Sequence, residues 1–301
     1  MIQRPLVAVT GSSGFIGRRF VDAARGRGYR VRHLMRRAAT GDTSDEVRPF
    51  DLLQDKVDAA ALDGCEVLVH LAAHIPTDHL DPDEAERCWR ANALGTLRLA
   101  EAATWAGVRQ FIQTTSANAY AAWESAPIET AAMLPRSRGY YLGSKILQEI
   151  YAREVCRLAE LPLATLRLGS VYGPGQSTGA VATLAGAFAA GYPVALQDGG
   201  RFGADFVHVD DVVMALMLVA EGTYDEPFNV GSGVRTSILE LAQMLALETG
   251  VGSTLIQLEP EAVDGDPGFP ALSIARIQNL GYSPRDLKVG LASMVAGEAR
   301  T

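Results

Sequence analysis

Tyr141 and Lys145 stand four residues apart inside 141–160, a run with helical periodicity, so phenol and ammonium share one helix face. A phenol has an ordinary pKa of about 10, too high for a base at neutral pH. A neighbouring ammonium favours the phenolate and lowers that value. Ser116 closes the run 111–116, which reads as a strand ending in the hydroxyls of Thr114, Thr115 and Ser116. Its hydroxyl could bond the same substrate oxygen as the phenol. Together the three could move a proton to or from a secondary alcohol. Alone, Tyr-x-x-x-Lys is an ordinary helix pair, and its weight comes from a second motif far upstream.

That motif is Gly11-Ser12-Ser13-Gly14-Phe15-Ile16-Gly17, between the apolar run 6–9 and a run with helical spacing that ends near Gly26 and Gly28. Strand, glycine-rich turn and helix form the setting of a dinucleotide site. Gly11 permits the tight turn, Gly14 lets backbone approach a pyrophosphate, and Gly17 lets helix and strand pack closely. The helix N-terminus offers N–H groups and a positive dipole end to the phosphates. A bound nicotinamide would exchange hydride with the alcohol carbon while the Tyr141 site handles the proton, and its positive charge would favour the phenolate. The second strand, 30–35, ends at Met35, where an acidic residue would select NAD by its ribose hydroxyls. Arg36 and Arg37 follow instead and suit a 2′-phosphate, which tips the reading from NAD to NADP. Asp51, after a short third strand, either accepts a bond from the adenine amino group or caps a helix starting near 54–56.

Apolar runs and helical stretches alternate along the first half of the chain. The fourth strand spans 66–73, with His70 and His74 flanking its end, a long helical run covers 84–106, and a sixth strand covers 163–168. This order predicts a Rossmann-type α/β fold, a doubly wound parallel sheet. Residues 1–168 read as the dinucleotide-binding domain. Beyond 168 the texture turns to Gly, Ser and Pro, and 169–301 read as a smaller α/β substrate lobe, with the segment near 206–221 packing back on the first domain. Helices are expected near 180–190, 210–221 and 237–249, and strands near 194–197 and 254–258. The 301 residues carry a net charge of −8, which speaks against nucleic acid or an anionic membrane as the main partner. Cys65, Cys88 and Cys156 are scattered, fit no metal spacing, and read as buried thiols in a cytoplasmic protein. The first residues run straight into strand one, which reads as no signal peptide, and no apolar run is long enough to span a bilayer.

With these pieces assembled, the chain resembles the extended short-chain dehydrogenases/reductases, the NAD-dependent epimerase/dehydratase family. The matching stretches are 10–17, Asp51-Leu52, His70-Leu71-Ala72-Ala73, Asn92 with Gly95-Thr96, Thr114-Thr115-Ser116, Tyr141 with Lys145, 167–175, 206–212 and 228–231. The resemblance implies Tyr141 as acid/base, Lys145 as its activator and ribose anchor, and Ser116 as the substrate-oxygen partner. It implies a cofactor lining of Gly11, Ser13, Gly14, Phe15, Ile16, Gly17, Arg36, Asp51, Leu52, Leu71, Ala72, Ala73, Asn92, Thr114, Leu168 and Val171, with Tyr141 and Lys145. The substrate side comprises His74, Ser116, Asn118, Ser170 and Arg201. The resemblance also implies a homodimer joined through the helices near 84–106 and 141–160.

Departures from the family pattern bear on substrate. Nucleotide-sugar enzymes of the family usually carry an arginine just before the Asp-Phe pair, and here Ala204 precedes Asp205-Phe206. A second arginine usually precedes a Gly-Asp pair, and here the run is Val263-Asp264-Gly265-Asp266. Both would hold a pyrophosphate by charge-assisted bonds. Arg201 is a candidate replacement, although its odd offset from Ala204 points to the other strand face. Ser170 stands where the family usually has Asn. Ala117-Asn118 replaces the acidic pair used by 4,6-dehydratases, which sets that reaction aside. The expectation is an NAD(P)-dependent enzyme acting on a nucleotide-sugar as 4-epimerase or 4-keto reductase. The alternative is an NADP-dependent reductase or dehydrogenase of a non-nucleotide carbonyl compound. A non-catalytic dinucleotide sensor is set lower, because the chain keeps both Tyr141 and Lys145.

Overall fold

A computed structural model describes residues 4–36, 45–121, 125–261 and 265–298. The chain divides into two compact units. One comprises Met1–Ala121, Met133–Arg167 and Val213–Phe228, the other Ala122–Ala132, Leu168–Val212 and Asn229–Thr301.

The first unit is built on β1 (Leu6–Thr10), α1 (Phe15–Gly26), β2 (Arg30–Met35), β3 (Glu46–Pro49) and β4 (Val67–His70). Next come α2 (Asp83–Cys88), a π-helical turn at Trp89–Leu94, α3 (Gly95–Trp105), β5 (Gln110–Ser116), α4 (Gly139–Leu158) and β6 (Leu163–Leu168). Seven strands line up in the order β10-β6-β5-β4-β1-β2-β3, where β10 is Pro227–Val230. β1 pairs in parallel with both β2 and β4, so the chain leaves β1 in one direction and returns on its other side. That reversal opens a crevice beyond the carboxyl ends of β1 and β4, where open α/β sheets bind ligands. β1 reads as an unbroken apolar strand because it is buried on both faces. Leu6 and Ala8 join Leu68, Leu99, Ala103, Phe111 and Cys156 in one core cluster. Each such buried Leu or Phe stabilises the fold by about 1.5–3 kcal/mol. All three cysteines are free and buried.

The long helix expected over 84–106 is three segments, because the π turn inserts a wider loop between α2 and α3. The helix expected near 54–56 is absent. Asp51 Oδ1 instead accepts the Leu53 N–H at 3.0 Å in a turn, and Asp58 caps a short 3₁₀ turn at Ala59–Leu62.

The second unit contains β7 (Ser170–Tyr172), α5 (Ala180–Ala189), β8 (Val194–Leu196), β9 (Gly203–His208), β11 (Arg235–Ser237), α7 (Ile238–Thr249), β12 (Ile256–Leu258), α8 (Ala275–Gln278) and α9 (Leu287–Glu298). The helix α6 (Val209–Ala220) runs from this unit into the first. β9 is central to a three-stranded sheet, parallel to β7 and antiparallel to β11. Its Asp205 is buried, and its carboxylate accepts the Ser232 N–H at 2.6 Å, the Ser232 hydroxyl at 2.7 Å and the N–H groups of Gly233 and Leu272 at 3.0 Å. No described helix is long and apolar enough to cross a membrane.

Candidate active site

The glycine turn is shaped by close contacts that exclude a Cβ. Gly11 has φ +66°, and a Cβ on it would lie 2.7 Å from the Ala72 nitrogen. A Cβ on Gly17 would lie 2.1 Å from the Gly11 carbonyl oxygen, so helix and turn meet only because this residue is glycine. Gly14 donates its N–H to the Gly11 carbonyl at 2.9 Å and, with Ser13, is exposed. α1 starts with no side-chain cap and no acidic residue in its first turn. The N–H groups at Phe15, Ile16 and Gly17 therefore face an open cradle with a positive dipole end, which fits a dinucleotide phosphate.

A buried hydrogen-bond chain fixes the backbone beside the glycine turn. The Thr10 hydroxyl accepts the N–H groups of Leu71 at 3.2 Å and Ala72 at 3.1 Å, so its own proton goes to His70 Nδ1 at 2.7 Å. Thr96 donates its proton to the Asn92 carbonyl at 2.6 Å, so it accepts from His70 Nε2 at 2.8 Å. These partners assign the neutral tautomer with the proton on Nε2. Burial pulls the His70 pKa down to about 3. Ala73 continues the chain beyond this pinned segment.

Arg36 follows the end of β2 and is exposed. Arg37 lies outside the described residues. Within β2, His33 bonds the Ser12 hydroxyl at 2.8 Å and Asp45 at 3.0 Å, tying the strand to the glycine turn. A Cβ on Gly95 would lie 2.6 Å from the Leu52 carbonyl, so α3 begins pressed against the Asp51-Leu52 turn.

α4 places Tyr141 in its first turn and Lys145 one turn later, and it packs against β5. Tyr141 is half-buried, and its pKa is pushed up to about 12, by burial first and the nearby Cys88 second, with Arg138 opposing. Lys145 is not among the causes of that shift. The ammonium is turned to Gln148, donating to Oε1 at 2.5 Å, and burial pulls its own pKa down to about 8. Ser116 is buried at the end of β5, and its hydroxyl accepts the Asn118 N–H at 3.3 Å. Thr114 donates its hydroxyl proton to the His70 carbonyl at 3.4 Å.

Asn92 is buried in the π turn, and π turns recur at functional positions. Its Oδ1 accepts the His74 N–H at 2.7 Å, and its Nδ2 donates to the His74 carbonyl at 3.0 Å and to Ser144 Oγ at 2.9 Å. Its amide thus clamps the loop after β4 to α4 and engages protein on every side. His74 Nε2 bonds Glu84, whose other oxygen accepts from Arg87 at 3.0 Å. Cys88 lies within reach of this pair, and the three could offer ligand atoms within 4.8 Å of one another. Both Glu84 oxygens are engaged, so the group is an ion-paired cluster.

His79 escaped the sequence reading. Its ring meets Tyr141 edge-on at 6.0 Å, and its Nδ1 is buried with no hydrogen-bond partner among the described residues. Burial and Arg138 hold its pKa below the ordinary value, so it is neutral at physiological pH. No spacing in the sequence marks it, because the contact depends on the path of the loop.

The remaining candidates belong to the second unit. Leu168 closes β6, and Ser170 and Val171 lie on β7, with Ser170 in register with Phe206 of β9. Arg201 sits before β9, paired with Asp198 at 2.6 Å and Glu261 at 3.2 Å. It lines an open cleft with Arg235, Ser237 and Glu240. Ala204 lies opposite Thr236 of β11. Val263 and Asp264 lie outside the described residues, and Asp266 Oδ1 accepts the Gly268 N–H at 2.9 Å.

Comparison with known proteins agrees with this architecture. A model of the NAD dependent epimerase/dehydratase family matches residues 7–231. The UDP-glucose 4-epimerase of Mycolicibacterium smegmatis is 31% identical over 316 aligned positions, covering 96% of this chain and 95% of that protein. The 3-diazoavenalumate denitrifying reductase of a Streptomyces species is 31% identical over 243 positions, covering 73% of this chain and 76% of that protein. Among solved structures, MoeE5 in complex with UDP-glucuronic acid and NAD matches with a TM-score of 0.85 at 29% identity, covering 98% of this chain and 99% of that one.

Proposed function

The chain belongs to the NAD dependent epimerase/dehydratase family and is an enzyme of the extended short-chain dehydrogenase/reductase type, and on that premise we propose that it interconverts a secondary alcohol and a ketone at C4 of a nucleotide-sugar. The carrying observation lies within one unit: Tyr141 and Lys145 share a face of α4, which packs against β5, whose end carries Ser116. The open glycine cradle follows β1, two strands away in the same sheet. When bound, the nicotinamide dinucleotide supplies the hydride donor or acceptor and, in its oxidised form, a positive charge. Tyr141 gives its phenolic proton to the substrate oxygen, or takes one from it. Ser116 holds that oxygen by a second hydrogen bond. Lys145 anchors the ribose and stabilises the phenolate. His79 offers its unpartnered nitrogen to a substrate hydroxyl beside Tyr141. Arg36 favours the 2′-phosphate of NADP over NAD.

The names of the relatives support a nucleotide-sugar handled by a 4-epimerase or a 4-keto reductase. One observation favours a second reading. Ala204 stands where an arginine would hold the pyrophosphate, and the Arg201 guanidinium is paired with two carboxylates. A reductase of a non-nucleotide carbonyl compound needs neither cation. By resemblance the enzyme is a homodimer through α3 and α4, which carry the exposed apolar side chains Trp105, Ile150 and Leu158.

Native mass spectrometry of the purified protein, then calorimetric titration with UDP-glucose and a dTDP-sugar, tests these readings together. The expected result is a dimer that retains or takes up a dinucleotide, its mass telling NAD from NADP, and that binds a sugar nucleotide. Cofactor uptake without sugar-nucleotide binding would move the function to the non-nucleotide carbonyl. Absence of dinucleotide binding would overturn both.

A further inference from the structure

Gln148 lies one turn beyond Lys145 on the same face of α4 and is fully buried. Its amide has one possible orientation. The Thr114 carbonyl, 3.3 Å from Nε2, can only accept, so the Gln148 NH₂ points to it and to Gln113 Oε1 at 3.0 Å. Oε1 is thereby aimed at Lys145, whose ammonium donates to it at 2.5 Å. Gln113 is held in turn by donating its own NH₂ to Thr165 Oγ1 at 3.0 Å. Residues of two strands, β5 and β6, thus fix one acceptor atom, and that acceptor takes the one hydrogen bond the Lys145 ammonium makes among the described residues.

We propose that Gln148 is a positioning residue for Lys145: its amide oxygen anchors the ammonium by one neutral hydrogen bond and leaves the other two N–H groups for the cofactor ribose and Tyr141. This rests on the reading of Lys145 as ribose anchor. The neutrality of the partner matters. A carboxylate in that place would hold the ammonium in an ion pair and compete with the ribose, while an apolar side chain would leave a buried cation without its acceptor. The amide stabilises the charged form enough to keep the donor present at neutral pH, yet leaves the ammonium free to share its remaining protons.

The affinity for NAD⁺ or NADP⁺, whichever binds more tightly, reads this directly. It is measured by exchange against labelled cofactor from about pH 6.5 to 9.5. Affinity is expected to fall as Lys145 loses its proton, near its value of about 8. The other titratable groups around Lys145 are Tyr141, His70, Cys88 and Glu149. Tyr141 of α4 is pushed up to about 12, His70 of β4 is held near 3, Cys88 of α2 is raised by burial, and Glu149 of α4 is paired with Arg167 at 2.6 Å. β5 presents only the non-titrating Gln113 and Thr114.

Gln148→Met should move the break to lower pH by about one unit, because the ammonium loses its acceptor. Gln148→Glu should move it upward by about one unit or more, because a carboxylate favours the charged form. Gln113 can turn to donate to that carboxylate, since the Thr165 hydroxyl donates as well as accepts. Lys145→Met should abolish the break. A break lost in Lys145→Met but unmoved in both Gln148 variants would overturn the role of Gln148 and leave Lys145 as the anchor. A break that survives in Lys145→Met, or a wild-type affinity flat across the range, would overturn the anchor reading itself. Opposite shifts from two variants at one position separate positioning from a general loss of packing, which would move both the same way.

Discussion

A phenol held near 12 keeps its proton at neutral pH, which in the proposed mechanism makes Tyr141 ready as the general acid for reducing a ketone. For oxidation it must first lose that proton, and the charges that favour this are the Lys145 ammonium and the oxidised nicotinamide. Tyr141→Phe removes the proton and the acceptor but little volume. It should leave dinucleotide affinity within about twofold and reduce turnover by about 10²–10⁴. Single-turnover rates alongside cofactor binding check this, and unchanged turnover would remove Tyr141 from the mechanism. Tyr141, Lys145 and Ser116 were legible as types at a spacing because hydrogen-bonding chemistry is local. The direction of the Tyr141 shift was not, because it is set first by burial in the folded chain and next by Cys88, which lies far back in the sequence, with Arg138 opposing. Asn92 shows the same limit, since its partners His74 and Ser144 lie 18 and 52 positions away in the chain.

At the scale of elements, the parallel sheet was legible because its strands are apolar runs buried on both faces, β1 and β6 above all. The π turn between α2 and α3 was not, since one widened turn hardly disturbs a periodicity of 3.6 residues. Neither was the pairing of α4 with β6. Arg167 of β6 donates to Glu149 of α4 at 2.6 Å and to the Tyr120 hydroxyl at 2.8 Å, and Thr115 of β5 donates to the same carboxylate at 2.6 Å. Both charges are nearly buried, so removing one leaves the other without compensation. Arg167→Ala should destabilise the protein by about 3–5 kcal/mol in urea unfolding. The double substitution Arg167→Met with Glu149→Met should recover most of that loss, because two apolar groups of similar volume remove both desolvation costs. If the double variant is no more stable than Arg167→Ala, the pair's desolvation is not what the single change exposes. Because α4 also carries Tyr141 and Lys145, this pair bears on the alignment of the acid/base helix with β5.

For the molecule as a whole, the buried His70 ties stability to acidity. Its folded pKa of about 3 lies below its unfolded value of 6.5. In the unfolded chain it takes up a proton as pH falls through 6.5, and in the folded chain it does not. The stability it contributes is therefore fully present above 6.5 and is lost progressively toward 3. Its share of the slope approaches about 1.4 kcal/mol per pH unit in the middle of that range. Lys145 adds nothing to the slope there, because its folded value of about 8 and its unfolded value of 10.5 both lie above the window. Urea unfolding of the wild type and of His70→Gln, at steps between about pH 7.5 and 4.5, isolates the term. The variant should be less stable at neutral pH, where the chain from Thr10 to Thr96 is interrupted, and should lose less stability on acidification. The two curves should converge as pH falls. Parallel curves would mean that His70 titrates alike in both states, and the neutral tautomer that pins Leu71 and Ala72 beside the glycine turn would have to be abandoned. Convergence would tie acid tolerance to the cofactor cradle, because the proton that destabilises the fold would enter at the residue fixing the backbone beside the glycine turn.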